Sequence, residues 1–227
     1  MRKFGCILPS ILGLPWDLHR LLPEGVQANV ATLNVRNGKP GEHEWALSAM
    51  RRAVDVLIDE GSEAIVVQGV PVAARRGLAG TRADHAALTA DRGAVPIISS
   101  LGASARALLA TGSKRPLLIT QYNDEVNAQI ATFFQEMGLA VAGAAGLGAT
   151  NASQVNTLRA ADFERLATTA LASHREADGV FLSARGNLHD TALALQGSIN
   201  LPVIEQVAAT LWWALSELGV DSMAENA

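Results

Sequence analysis

Thiols are almost missing from this 227-residue chain: Cys6 is its only cysteine. An internal disulfide is thereby excluded. Phenols are as scarce, Tyr122 being the only tyrosine. A basic excess is lacking too. Lys plus Arg total 18 against 22 Asp plus Glu, a formal net charge of -4, and no basic face stands out, so nucleic acid is not expected as a partner. No stretch approaches the roughly 18 uninterrupted apolar residues of a membrane span, so no membrane partner is expected. The apolar opening MRKFGCILPSILGLP is broken by Pro9, Gly13 and Pro15, and Asp17, His19 and Arg20 follow at once. It reads as a first strand and loop and not as a secretion signal. His19, His43, His85 and His174 show no metal-ligand spacing. Gly143, Gly146 and Gly148 have neither the spacing nor the position of a dinucleotide fingerprint. What is present is apolar bulk: 49% of residues are hydrophobic, ample for a buried core. A cytoplasmic protein without metal or cofactor is the expectation, built as one large domain or two small lobes.

Eight short apolar runs punctuate the sequence: Phe4–Leu8, Asn29–Leu33, Ala64–Gln68, Pro96–Ser99, Pro116–Thr120, Ala140–Ala144, Gly179–Ser183 and Pro202–Glu205. Most are rich in Val, Ile and Leu without polar alternation, the pattern of strands buried on both faces of a parallel sheet. Helical periodicity lies between most of them. Glu44–Glu60 places Leu47, Met50, Val54, Leu57 and Ile58 on one face, and Asp124–Met137 does the same with Val126, Ile130, Phe133, Phe134 and Met137. Leu101–Ala110, Ala161–Ser173, Thr191–Gln196 and Val207–Leu218 also read as helix. Such alternation predicts an α/β protein with right-handed crossovers. Four strands fall before Leu101 and four after it, in matching order. The chain is therefore expected to form two similar lobes, each a four-stranded parallel sheet flanked by helices. The first is assigned to residues 1–98 and the second to 99–205, with 206–227 packing back onto the first.

Two of the strands end in loops of small residues at matching places. Glu63–Gly69 runs into Val70, Pro71 and Val72; Asp178–Ser183 runs into Ala184, Arg185, Gly186 and Asn187. In open α/β sheets the site forms outside the carboxyl ends of the strands, so these two loops should face each other across a cleft.

With the strands placed, the segment RPLLITQYNDEVNAQIATFFQEMGLAV (Arg115–Val141) resembles the aspartate/glutamate racemase superfamily, nearest to its arylmalonate decarboxylase and maleate cis-trans isomerase branches. FGCILPS, EAIVVQGVPVAARRG, ADGVFLSARGN and LPVIEQVAATLWWALSELGV fit the same template over essentially the whole chain. The resemblance implies a two-lobed fold with a pseudo-twofold axis, a small carboxylic acid bound between the lobes, and neither metal nor cofactor. It also implies cysteine chemistry at one or both loops, and there the sequence departs. Where the family carries a cysteine or a threonine–serine pair, the first loop has Val70 and Pro71. The family's second-loop cysteine falls on Ala184 or Arg185, depending on where a gap is placed. Ser10 opens a family Ser-x-Asn loop that here continues as Ile11 and Leu12. The family tyrosine is retained as Tyr122.

Candidate site residues follow, each with two readings. Tyr122, at a strand end before a helix, is a donor to a developing oxyanion or a half-buried aromatic with a wet hydroxyl. Arg185 holds a carboxylate with two parallel bonds or is a solvated loop arginine. His189 replaces the thiol in proton transfer, or, with Asp190, forms a helix cap and exposed first turn. Glu205 faces the cleft with a pKa raised by desolvation or is an exposed acid beginning the last helix. Cys6 is expected in the core. Ser183 and Gln68 precede the loops and hold a ligand or satisfy local backbone. Backbone N–H groups near Gly69 and Gly186 are expected to help bind, with Ser10, Asn187 and Ala184 beside them. An apolar wall of Val70, Pro71, Ile11 and Leu12 favours loss of a carboxylate as CO2. The expected activity is a cofactor-independent lyase acting through a stabilised enolate without a cysteine nucleophile. An inactive carboxylate-binding or regulatory protein is the alternative, and a maleate-isomerase-like or racemase-like isomerase the third reading. Trp212 and Trp213 on the final helix pack in the core or at a subunit interface of a homo-oligomer.

Overall fold

A computed structural model describes residues 1–9, 16–35, 42–93, 95–150, 152–184 and 188–220, with the side chains of 42–45, 47 and 152 left aside. Ser10, Ile11, Leu12, Arg185, Gly186 and Asn187 lie outside the described residues. The elements alternate as read from the sequence: β1 (Arg2–Leu8), α1 (Trp16–Leu21), β2 (Val26–Thr32), α2 (Glu42–Asp59), β3 (Ile65–Val67), α3 (Val70–Thr89), β4 (Ile97–Ser99), α4 (Ser100–Ala110), β5 (Pro116–Tyr122), α5 (Asp124–Glu136), β6 (Gly143–Ala149), α6 (Ala152–Val155), α7 (Ala160–Ser173), β7 (Gly179–Ser183), α8 (His189–Ile199), β8 (Val203–Glu205) and α9 (Gln206–Glu217).

The strands form two four-stranded sheets in the orders β2-β1-β3-β4 and β6-β5-β7-β8, parallel throughout. The registers match as well as the orders. Ile7 pairs with Val67 and Val67 with Ser99; Ile119 pairs with Leu182 and Leu182 with Glu205. Gln68 and Ser183 therefore hold the same place in the two halves, as do Ser99 and Glu205, and Thr32 and Gly146, which pair with Leu8 and Thr120. Central strands β1, β3, β5 and β7 are almost fully buried, which is why their sequences run apolar without alternation.

Four clusters make the core. One joins β1, β3 and β4 to α9 through Phe4, Cys6, Val66, Ile98, Leu211 and Trp213. Another joins α3 and α4 to β5, α5 and β7 through Val70, Leu101, Ile130, Phe133 and Phe181, with Phe134 and Phe181 edge to face at 5.0 Å. Cys6 is fully buried, and Trp213 is buried while Trp212 packs against the same cluster. Among the described residues no helix is long and apolar enough to cross a membrane.

Three features differ from the sequence reading. The segment after β3 is not a loop: α3 starts directly at Val70. Pro71, whose fixed φ and missing N–H suit a first helical turn, starts the helix instead of breaking it. The strand read at Ala140–Ala144 is displaced to Gly143–Ala149, so its three glycines are strand residues and do not follow a strand. Pairing to β5, not local propensity, sets that position. Short helices α1 and α6 were not expected, each being too brief to show a period.

Candidate active site

The carboxyl ends of both sheets carry buried polar side chains. Tyr122 ends β5, and a local brace aims it. Its backbone N–H donates to Thr120 Oγ1 at 3.0 Å, Thr120 donates to Asn127 Oδ1 at 2.6 Å, and Asn127 Nδ2 reaches the Tyr122 carbonyl at 3.5 Å. The β5–β6 register shifts between Thr120 and Tyr122. This irregularity re-aims a side chain as strand bulges do. Gly146 permits it, since a Cβ there would run into the Tyr122 carbonyl oxygen. The helix that follows is capped as its sequence suggests, Asn123 accepting from Val126 N–H. Burial pushes the Tyr122 phenol up to about 12, against the pull of hydrogen bonds with Ser183 and Gln121. Tyr122 is thus a neutral donor at ordinary pH.

Ser183 is fully buried at the end of β7 and donates to Gln206 Oε1 at 2.8 Å. Gln206 Nε2 donates to Gln68 Oε1 at 3.3 Å, and Gln68 Nε2 to Thr210 Oγ1 at 3.4 Å. Thr210 closes the chain by donating to the Gln206 carbonyl at 2.8 Å. Gln68 also bonds to the Cys6 thiol, yet burial dominates and pushes that thiol up to about 12. The chain's one cysteine is therefore a buried core residue held protonated at neutral pH.

Glu205 is 1% exposed. Its Oε2 caps α9, accepting from Val207 N–H at 2.8 Å and Ala208 N–H at 2.9 Å. Its Oε1 is buried without a hydrogen-bond partner among the described residues. Burial raises its pKa to about 7 against those two N–H bonds, and the charge of Asp17 adds to the rise. The residue is a helix cap, as one reading held, but it is not exposed. Asp17, 2% exposed in α1, accepts from the His189 backbone N–H at 3.0 Å and from Arg20 at 3.2 Å. Arg20 continues to Asp190 at 2.7 Å, which fixes α1 to the start of α8. His189 is the first residue of α8, with Leu188 the N-cap, and its Nδ1 is buried without a partner among the described residues.

Gly69 closes β3 at φ 113°, in the left-handed region that glycine adopts freely, and a Cβ there would lie 3.2 Å from Pro9. Val70 is 1% exposed and its side chain belongs to the core with Ala73 and Phe133. What it turns to the strand ends is the N–H of a helix start. Pro71 is half-buried in the same turn. Ala184 is buried just past β7. The structure thus gathers Tyr122, Ser183 and Glu205 around the start of α9 and the end of β7, whereas His189 is tied to Asp17 through its backbone N–H. Sequence reasoning missed Asp17, Asn127, Gln206 and Thr210. The signal was available for the last two: Gln206 and Thr210 are polar residues four apart in an otherwise apolar helix, and so share one face. Among the described residues no three His, Cys, Asp or Glu side chains cluster as a metal site would need.

Two parallel sheets of the same order, with buried polar groups at their carboxyl ends, define a two-lobed α/β protein, the fold that the resemblance to the racemase superfamily implies. The comparisons narrow this. The arylmalonate decarboxylase family model matches residues 4–227; the chain belongs to that family. It is 26% identical over 217 residues to the arylmalonate decarboxylase of Bordetella bronchiseptica, covering 95% of this chain and 90% of that one. A crystal structure of arylmalonate decarboxylase superposes with a TM-score of 0.83 at 24% identity, covering 96% of this chain and 92% of that one. The maleate cis-trans isomerase of Nocardia farcinica, solved with a covalently bound succinylcysteine intermediate, gives 0.82 at 16% identity over 96% and 93%.

Proposed function

We propose that this chain is a cofactor-independent decarboxylase of a small malonate-type dicarboxylate that works without a cysteine nucleophile, with Glu205 as proton donor. The observation that carries the reading is Glu205 itself: a buried carboxyl with one oxygen fixed by two N–H groups and the other without a partner among the described residues. A pKa of about 7 leaves a large protonated fraction at neutral pH, as a general acid requires.

In the step we propose, the bond from the α-carbon to one carboxylate breaks and CO2 leaves. The bonding pair delocalises into the remaining carboxylate as an enediolate. Tyr122 donates to the enediolate oxygen, helped by backbone N–H groups at Gly69 and Val70 where α3 begins. The proton of Glu205 then passes to the α-carbon, and the Glu205 carboxylate regains one from solvent. His189, tied to the same Asp17, is the second group able to carry that proton. Ser10, Arg185, Gly186 and Asn187 are assigned to substrate binding in this reading on the sequence alone, together with Ser183, Ala184 and Pro71. The lobes are residues 1–98 with 206–227, and 99–205.

A protein that binds a carboxylate without turning it over is the competing reading, favoured by the thiol-free loops. A screen of aryl and alkyl malonates for CO2 release decides between them. Turnover is expected to fall about a hundredfold or more in Glu205→Gln and about tenfold in Tyr122→Phe. Unchanged turnover in both variants overturns the assignment of roles. Thermal stabilisation by a malonate without CO2 release selects the binding reading.

A further inference from the structure

The chain of hydrogen bonds through Gln206 runs in one direction, and the direction has consequences. Gln206 Oε1 is an acceptor only, so Ser183 must place its hydroxyl proton there. Gln206 Nε2 is a donor only, so Gln68 must turn its carbonyl toward it. Gln68 then faces Thr210 with its amide nitrogen, and Thr210, whose own proton goes to the Gln206 carbonyl, has a lone pair free to accept it. Reversing either amide alone would bring two donors or two acceptors together in a buried site, where each unmade bond is costly; only a concerted reversal of both would restore every bond. All four side chains are at most 9% exposed, so no solvent competes.

We propose that Gln206 is a positioning residue of the candidate site, which ties the residue leading into one strand-end turn to the residue leading into the other and fixes the hydroxyl polarity of Ser183. This rests on the proposed function only in assigning Tyr122 a role as donor. With its proton committed to Gln206, Ser183 offers the neighbouring Tyr122 hydroxyl a lone pair and nothing else. The one Tyr122 proton therefore rests on Ser183 in the resting site, and it reaches an enediolate oxygen only by leaving that bond. The corresponding position in the first half is Ser100. Its hydroxyl is buried without a partner among the described residues, so the bridge is made from one side only. Gln206 also reaches across the fold. Ser183 ends β7 in the second sheet, whereas Gln68 follows β3 in the first.

The single tyrosine of the chain makes the test independent of any substrate. The full-length protein labelled with [ζ-13C]tyrosine gives one resonance, and its titration reports Tyr122 alone. In Gln206→Met the Ser183 proton is released and can turn to the phenolate, so the titration should move to lower pH by about half a pH unit or more. In Gln206→Glu the acceptor for Ser183 is retained, and the titration should stay near that of the parent. Gln68→Leu frees the Gln206 amide to flip, giving a smaller movement of the same sign; this variant serves if Gln206→Met does not fold. In a Ser183→Ala background Gln206→Met should add nothing, because Gln206 acts through Ser183. A titration unmoved in folded Gln206→Met and Gln68→Leu overturns the proposal, as does a Gln206→Met effect that persists without the Ser183 hydroxyl. If no malonate is turned over by the parent, the proposed function fails while the tyrosine titration still decides the role of Gln206.

Discussion

The two halves of this molecule agree at one end of their sheets and diverge at the other. At the amino ends the same device appears twice. Glu63 accepts from the Lys3 backbone N–H at 3.4 Å and pairs with Arg2. Asp178, at the same register position, accepts from the Arg115 and Lys114 N–H groups at 2.7 and 3.0 Å and from Ser113 at 2.8 Å. At the carboxyl ends the equivalents part. Ser99 and Glu205 both cap the helix that follows, but one is a neutral hydroxyl and the other a buried carboxyl. The Ser100 hydroxyl has no partner among the described residues where the Gln206 side chain has two. Thr32 stands exposed where Gly146 lets Tyr122 crowd in. A repeated scaffold keeps what holds strands together and varies what faces a ligand, as the switch-point rule for α/β sheets leads one to expect.

The contrast can be broken most severely at Gly146. Gly146→Ala forces a Cβ onto a backbone oxygen and should cost about 3 kcal/mol or prevent folding, whereas Thr32→Ala at the matching place should stay within about 0.5 kcal/mol. Chemical denaturation of both variants gives the comparison, and equal losses would show that the crowding at Tyr122 is not real.

The two caps come next. The folded pKa of Glu205 lies above its ordinary value, so the folded state holds a proton that the unfolded chain has released. Between about pH 4.5 and 7 stability therefore falls as pH rises, by about 3 kcal/mol in all. Below that window the contribution is fully present, and above it the loss is complete. Glu205→Gln keeps an acceptor for the Val207 and Ala208 N–H groups and should flatten this dependence. Ser99→Ala should cost about 1 kcal/mol at every pH. Denaturation midpoints of parent and variants from pH 4 to 8 test both, and parallel curves for Glu205→Gln and the parent would refute the buried-acid assignment.

The smallest effects belong to the conserved device at the amino ends. Asp178→Ala should lose about 1–2 kcal/mol, because three donors lose one acceptor. Glu63→Ala, which breaks a solvent-exposed pair, should lose less than about 1 kcal/mol. If the order were reversed, as measured by thermal unfolding, the two acids would not be playing equivalent parts.

Why the fold was legible and the site less so follows from particular residues. Runs such as LLIT and GVFLS can only be buried strands, and the Asp124–Met137 periodicity with Asn123 before it fixes a helix and its start. The matching order of the two halves was visible for the same reason. Helix α3 was hidden because Val70, Pro71 and the mid-helix Gly77, with φ 68°, disrupt the apolar period. Tyr122, Ser183 and Glu205 could be singled out as candidates because the strands they end were legible. Asp17 and Asn127 were missed because their partners are distant in sequence or are backbone atoms. The neutral–charged contrast between the two caps depends on burial, which no local pattern reports.

The last helix has a consequence for the order of synthesis. Helix α9 packs against β1, β3 and β4, yet its cap and its first residue stand among the polar groups at the end of β7. A nascent chain can complete the first sheet and three strands of the second and still lack Glu205, Gln206 and Thr210, because β8 and α9 come last. The assembled site would therefore appear only after the ribosome has released the segment that begins at Val203.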